Sequence, residues 1–396
     1  MDQSATCLSS RMNESMSRSS WIRRMSEEAA RLRAVRGPGT VFDFSLGNPI
    51  TEPPEEFRDI LEDLLRDPSH RLHGYMPNAG FPDVRAAVAE YLSGEQRVEV
   101  PAANVIMTCG AAGALNVILR TVLDPGDEVI VSRPYFVEYG FYCENHGGVL
   151  RPVATTPEFD LAPEAIEAAI GPRTRVVLVN SPNNPTGRVY SAQTLARLAE
   201  VLERKSRETG RLIYLVSDEP YRKIVYDGVT VPPVLVAYPH SIVVSSYSKE
   251  LSLAGERIGY LAASPAIPDV ERLMEGLAMA NRILGFVNAP ALMQRTVSRL
   301  QGACVDLGLY RRNRDVLLAA LRGAGYTVPE PQGAFYLFPR SPIEDDVAFA
   351  MGLAEHGVVV VPGTGFDCPG HFRLSYCVSP ETVDGALPAL CAAARS

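Results

Sequence analysis

Lysine is almost absent from this chain. Its 396 residues hold 38 lysines and arginines together, of which only three are lysines: Lys205, Lys223 and Lys249. Any chemistry that needs a side-chain primary amine is confined to those three. The skew towards arginine fits a GC-rich genome, which is a mutational bias and not a function. Long apolar runs are also missing. None approaches the ~18 residues of a membrane span, so no transmembrane helix is expected. The first residues carry no continuous apolar stretch of the secretory kind. The basic residues are dispersed and the net charge is −8, which argues against a protein held to nucleic acid by phosphate contacts. The seven cysteines show no CxxC or Cys/His ligand spacing. They read as free thiols of a reducing compartment, so a cytoplasmic protein without a bound metal is expected.

What is present suffices for a large core. Hydrophobic residues make up 46% and charged residues 21% of the chain, close to the globular average. Residues 1–25, rich in Ser, Met and Arg, are expected to form a flexible arm running into a helix over 26–35. From 51 to 300, short β-branched runs alternate with amphipathic stretches. Strands are expected at 104–108, 128–132, 175–180, 212–216, 242–245 and 258–263. Helices are expected at 82–92, 110–122 and 192–209, with an aromatic-rich one from 135. Continuous apolar strands with helices between them indicate a large, doubly wound, mostly parallel sheet covered on both faces. Beyond it a long helix over 289–322 and short strands at 334–338, 358–361 and 372–378 suggest a smaller α+β domain. That domain is expected to draw on both chain ends, 26–50 and 301–396, with a strand near Val41.

Four segments follow expected strand ends, where the loops of a parallel sheet line a ligand crevice. Gly110-Ala111-Ala112-Gly113 opens a helix, and its small residues let backbone N–H groups approach an anion. The same residues also serve a plain strand–helix turn. In Ser181-Pro182-Asn183-Asn184-Pro185-Thr186-Gly187 the flanking prolines hold an asparagine in a fixed direction. Asp218 emerges from a strand, where a carboxylate is costly without a cation or donors, although it also suits a helix N-cap. Tyr221, three residues on, is placed to face the same crevice. Ser246-Tyr247-Ser248-Lys249, with Arg257 beyond, combines hydroxyls, an amine and a guanidinium. Lys205 and Lys223 lie in charged helical settings and read as solvated.

Taken in order, Asn184-Pro185-Thr186-Gly187, Asp218-x-x-Tyr221, Ser246-x-Ser248-Lys249 and Arg257 resemble the fold-type I, pyridoxal-phosphate-dependent class I/II aminotransferases. Tyr75-x-Pro77-x-x-Gly80, Gly333-Ala334-Phe335-Tyr336 and Phe372-Arg373-Leu374-Ser375 extend the resemblance over nearly the whole chain. The resemblance implies an aminotransferase that moves the amino group of an L-amino acid to a 2-oxo acid by a ping-pong route. Decarboxylases, lyases, cyclases and oxidases of amino acids on the same fold remain the alternative. It implies pyridoxal 5′-phosphate as cofactor and Lys249 as the lysine of the internal aldimine and the proton carrier. Asp218 is implied at the pyridine nitrogen, and Asn184 and Tyr221 at the phenolic oxygen. Gly110, Ala111, Ala112, Ser246 and Arg257 are implied as a phosphate cup. Phe136 is implied as the ring that stacks on the cofactor, with Tyr135 beside it. Arg373 and the loop at Gly47 are implied to hold the substrate α-carboxylate. Tyr75 is implied to reach the phosphate of the neighbouring subunit, which makes a homodimer with shared sites. Arg282, Asn48 and Ile50 stand near positions where relatives read the substrate side chain, and Arg282 equally suits a surface helix.

The scarcity of lysine makes the central expectation directly testable. Borohydride reduction of the cofactor-loaded protein followed by peptide mapping is expected to place the label on Lys249. Label on Lys205 or Lys223 would overturn the assignment.

Overall fold

The computed structural model describes residues 7–18, 20–67 and 72–394. Its centre is a seven-stranded sheet. In spatial order the strands are Val105–Thr108, Gly259–Ala263, Ser241–Ser246, Tyr214–Asp218, Thr174–Asn180, Glu128–Ser132 and Val149–Val153. Gly259–Ala263 runs antiparallel to both of its neighbours. The other four pairings are parallel.

Side-chain alternation explains why these strands read as continuous apolar runs. Val177 and Val179 point into one core with Leu198 and Leu202 of the helix Ala192–Thr209. Val176 and Leu178 point into the other, against Leu115 and Ile118 of the helix Gly110–Val122. The first face is closed further by Pro82–Gln96 and Ala291–Ser298, the second by Val270–Ile283. Both faces are therefore apolar, and polar groups collect where the strands end.

A second set of elements packs around Phe335, Phe372 and Tyr376. Phe42–Asp43 pairs in parallel with Val358–Val359. Phe372–Ser375 lies between Val361–Pro362 and Tyr336–Leu337, antiparallel to each. The helices Gly308–Ala324, Asp346–Glu355 and Pro380–Ala393 complete this part. The strand Phe42–Asp43 thus pairs with an element from the far end of the chain.

Four features depart from the sequence reading. The single helix expected over 289–322 is two helices, Ala291–Ser298 and Gly308–Ala324. Between them Gly302 adopts φ +85° and the Val305 N–H donates to the Glu250 carbonyl, so the chain turns aside to meet the short helix Tyr247–Glu250. The helix expected over 26–35 starts earlier, at Trp21, and ends at Arg36. Within the expected arm a helix forms at Ser10–Ser17, capped by Ser9 Oγ, while residues 1–6 lie outside the described part. Arg18 grips Glu144 through two hydrogen bonds of 2.7 and 2.6 Å. Finally, Val149–Val153 is an edge strand that the sequence reading omitted. Its alternate exposure and Pro152 hide it, because proline is tolerated where no further strand needs its N–H.

The turn at Gly110 and the strand at Gly259 touch. A methyl group on Gly259 would meet the Ser245 carbonyl and stand 2.9 Å from the Gly110 Cα. Both obstacles are backbone. Gly259→Ala is therefore expected to lower stability by about 1–3 kcal/mol, read from thermal or denaturant melting. An unchanged melting temperature would show that the turn yields freely.

Candidate active site

The parallel register brings three strand ends side by side. Asn180 pairs with Asp218, and Asp218 with Val244, two residues before Ser246. The loops that follow carry Asn184, Tyr221 and Lys249 to one rim. They enclose a cavity of about 310 Å³ whose walls include Gly47, Ala111, Ala112, Phe136, Asn184, Asp218, Tyr221, Ser246, Lys249, Arg257 and Arg373. Of the residues expected to hold cofactor or the α-carboxylate, all but Gly110 and Tyr75 line this one space. Tyr75 is 93% exposed and stands apart from the cavity of its own chain. Of the two aromatic candidates after Pro134, Phe136 reaches the cavity and Tyr135 does not. Arg282, on the helix Val270–Ile283, is exposed and also lies outside it.

Asp218 is buried, and the Tyr139 hydroxyl donates to its Oδ2 at 2.6 Å. Its Oδ1 has no partner among the described residues. Burial pushes the carboxyl up to about 7, opposed by the Tyr139 hydrogen bond and helped by the neighbouring Glu219. Glu219 is itself buried on the other side of the strand. Ser217 Oγ donates to it at 2.8 Å and Arg222 Nη1 at 2.9 Å. Arg222 also bonds Glu95 at 3.0 Å.

Lys249 sits in the short helix Tyr247–Glu250, and its Nζ donates to the Gly47 carbonyl at 2.6 Å. Burial brings its pKa down to about 8, and the charges of Arg373 and Arg257 act in the same direction. The other two lysines are engaged elsewhere. Lys205 pairs with Glu208 at 2.8 Å, and Lys223 with Glu250 at 3.2 Å. Neither lines the cavity.

At one end of the cavity Ser246 Oγ and Ser248 Oγ share a hydrogen bond of 2.6 Å. A side chain at Gly110 would stand 3.1 Å from Arg257 Nη2 and 3.5 Å from Ser246 Oγ, so the helix N-terminus, hydroxyl and guanidinium converge there. Such a cradle suits an anion. At the other end Arg373 is only 1% exposed. Its Nη1 donates to Asn184 Oδ1 at 2.9 Å, its Nη2 donates to the Ser45 carbonyl, and its Nε has no partner. A guanidinium has five donors, so capacity remains for a carboxylate.

The wall also holds residues to which the sequence assigns no role, four of which bear on the geometry of the site. Tyr139 and Tyr336 are the first two. Tyr336 hydrogen-bonds the Tyr221 hydroxyl at 2.8 Å and its ring lies under the Arg373 guanidinium at 4.7 Å. Asn180 donates to the Asp218 carbonyl at 2.8 Å and accepts from the Asn184 N–H at 2.7 Å. Ile22 comes from the N-terminal helix. Tyr336 lay inside the Gly-Ala-Phe-Tyr motif, and Tyr139 follows Phe136 by three residues. Asn180 stood at the end of a recognised strand. Ile22 had no signal.

The Asp218 carboxyl gives a pH prediction for the cofactor-free protein. Its folded pKa of about 7 lies above an unfolded value near 4. Below both values it is protonated in either state and costs nothing. Between them the unfolded state ionises first, so stability falls as pH rises and levels off above 7. Asp218→Asn is expected to stabilise the cofactor-free protein by on the order of 3–4 kcal/mol at pH 8. The gain should fade by pH 4, which melting curves across that range will read. A pH-independent difference would rule the carboxyl out as its source.

Comparison with known proteins agrees with this geometry. The family described as aminotransferase class I and II matches residues 40–390. An aspartate/prephenate aminotransferase of Thermus thermophilus is 38% identical over 352 residues, covering 86% of this chain and 88% of that protein. The crystal structure of an aminotransferase from Eubacterium rectale superimposes with a TM-score of 0.95 at 40% identity, covering 99% of each chain. The Thermus thermophilus aspartate aminotransferase structure with maleate gives 0.84 at 33% identity, over 95% of this chain and 97% of that one. A lone amine in a pocket with an anion cradle at one end and a buried arginine at the other is what such an enzyme requires, and the chain belongs to the class I and II aminotransferases, a family that depends on pyridoxal phosphate.

Proposed function

We infer that this chain binds pyridoxal 5′-phosphate in the cavity and moves the amino group of an L-α-amino acid to a 2-oxo acid in two half-reactions. The observation that carries the reading is the orphaned Asp218 Oδ1. It is a buried acceptor with nothing to accept from, which suits a protonated ring nitrogen. The cradle of Gly110, Ser246 and Arg257 suits the phosphate. The Asn184 amide nitrogen, without a partner among the described residues, and the Tyr221 hydroxyl suit the phenolic oxygen. When bound, the cofactor supplies an electron sink for the pair left on the substrate Cα.

The chain's own residues do the rest. Arg373 orients the substrate by its α-carboxylate, and the Asn184 bond keeps that arginine in line with the cofactor site. Tyr336 supports the Arg373 guanidinium from below. Lys249 Nζ is the amine that ties the cofactor to the chain and then carries the proton removed from the substrate Cα. A pKa near 8 leaves a useful share of that amine unprotonated close to neutral pH. Water releases the amino acid's carbon skeleton as its 2-oxo acid while the amino group is retained in the site, and a second 2-oxo acid collects that group, giving back the water, by the reverse route.

The division of the chain into a cofactor domain at 51–300 and a smaller domain from 26–50 and 301–396 is part of the same proposal. So is a homodimer in which Tyr75, exposed in its own chain, completes the partner's phosphate cup. Seven free cysteines, and the absence of any membrane-spanning helix among the described residues, favour the cytoplasm as its place of action.

The test follows each half-reaction separately through the cofactor's absorbance. Arg373→Lys is expected to slow every amino acid and every 2-oxo acid by a similar factor, about 10–100-fold. A point charge cannot reproduce the planar fork. Simple amines, which lack the carboxylate, should change little. A variant that loses melting temperature but keeps the wild-type ratio of amino acids to amines would overturn the role.

A further inference from the structure

The cations of the cavity are all engaged. Among the described residues only Lys249, Arg257 and Arg373 line it. The first is the reacting amine, the second belongs to the anion cradle, and the third is fixed between Asn184 and Ser45. The neutral polar groups are largely spent too. Ser246 and Ser248 bond each other, and both functions of the Asn180 amide are satisfied. The wall without an assigned task is Ile22, Leu115, Tyr142, Pro220 and Ala254. None of these carries charge at neutral pH.

Nearby arginines do not supply the missing cation. Arg23 and Arg24 follow Ile22 on the same helix, but both are exposed and outside the lining. The Arg24 guanidinium lies over the Trp21 ring at 4.0 Å. Arg23 acts on the half-buried Glu138 carboxyl. Ile22 itself is firmly carried. Trp21 packs against Gly365, and Met25, Ala29 and Leu32 are buried with Val359 and Phe366. A second carboxylate brought against such a wall loses its hydration and meets no free cation among the described residues of its own chain, an unfavourable exchange. An apolar side chain gains by leaving water.

Resting on the reading of Arg373 as the α-carboxylate grip, we propose that the substrate side chain is received by an uncharged wall headed by Ile22. The amino donors are therefore amino acids with neutral, apolar or aromatic side chains, not dicarboxylic ones. This sets the chain apart from relatives named for aspartate.

The test uses the cofactor-loaded enzyme and the first half-reaction, which needs no acceptor. Alanine, leucine, phenylalanine and aspartate are compared by kcat/KM in wild type, Ile22→Ala, Ile22→Arg and Arg373→Lys. Wild type is expected to favour leucine and phenylalanine over aspartate by at least about 10-fold. Ile22→Ala should lower leucine and phenylalanine about 3–10-fold relative to alanine, since a few methylenes of contact are lost. Ile22→Arg should raise aspartate relative to leucine by at least about 10-fold. Preference for aspartate in wild type overturns the proposal, as does an Ile22→Ala variant that slows all donors equally. An unchanged aspartate-to-leucine ratio in Ile22→Arg overturns it too. Arg373→Lys keeps the two readings separable. A uniform loss upholds the α-carboxylate grip whichever donor wins, and a loss confined to one donor overturns the grip and the proposal with it.

Discussion

A carboxylate at the end of a buried strand is the constraint around which this molecule is arranged. Asp218 has to be somewhere on the sheet's C-terminal rim, and the fold surrounds it without satisfying it. Tyr139 meets one oxygen and nothing meets the other. Glu219 follows at once, turned to the opposite side, where Arg222 and Ser217 neutralise it. Two adjacent buried carboxylates thus receive opposite treatment. One is fully partnered and structural, and the other is left with a vacant acceptor inside a cavity. A fold that tolerates such a group without a ligand carries a standing cost, which a cationic ligand removes.

The site is also where distant parts of the chain are fastened together. Arg373 reaches Asn184 across 189 residues of sequence and Ser45 across 328. Lys249 reaches Gly47 across 202. These bonds join the N-terminal segment, the large sheet and the C-terminal strand Phe372–Ser375 at one point. Their geometry therefore depends on how the two packed cores sit against each other. A change in that relation is felt first by Arg373, Asn184 and Lys249.

Much of this was legible because the sequence concentrates its signals. With three lysines, the one among small polar residues after an expected strand stood out. Asp218 and Asn184 were readable because a parallel sheet exposes its strand ends in a predictable place. The central strands were readable because burial on both faces leaves them uniformly apolar. What escaped depends on tertiary approach. Tyr139 acquires its role from a residue 79 positions away, and a tyrosine in an aromatic-rich helix announces nothing. Ile22 is one aliphatic residue in an arginine-rich helix, and only the docking of Trp21 against Gly365 brings it to the cavity. The strand Val149–Val153 is half exposed and contains proline, so it lacks both marks of a sheet strand. The break between Ala291–Ser298 and Gly308–Ala324 falls where Gly302 leaves the helical region and the Val305 N–H turns to the Glu250 carbonyl, a tertiary contact that the local pattern does not announce.

The dearth of lysine also shapes how the protein meets alkali. Among the described ion pairs only Lys205–Glu208 and Lys223–Glu250 depend on an ammonium group. Bridges such as Arg222 with Glu95 and Glu219, or Arg18 with Glu144, depend on guanidinium. An ammonium sheds its proton near pH 10, whereas a guanidinium keeps its own beyond 12. A rise through that interval dismantles the electrostatics of a lysine-rich surface but leaves this one largely intact. Phenols are the other groups that ordinarily ionise there, and burial holds Tyr139, Tyr221 and Tyr376 well above their ordinary range. Buried phenols and guanidinium cations thus carry the core and the ion pairs of this protein into base together.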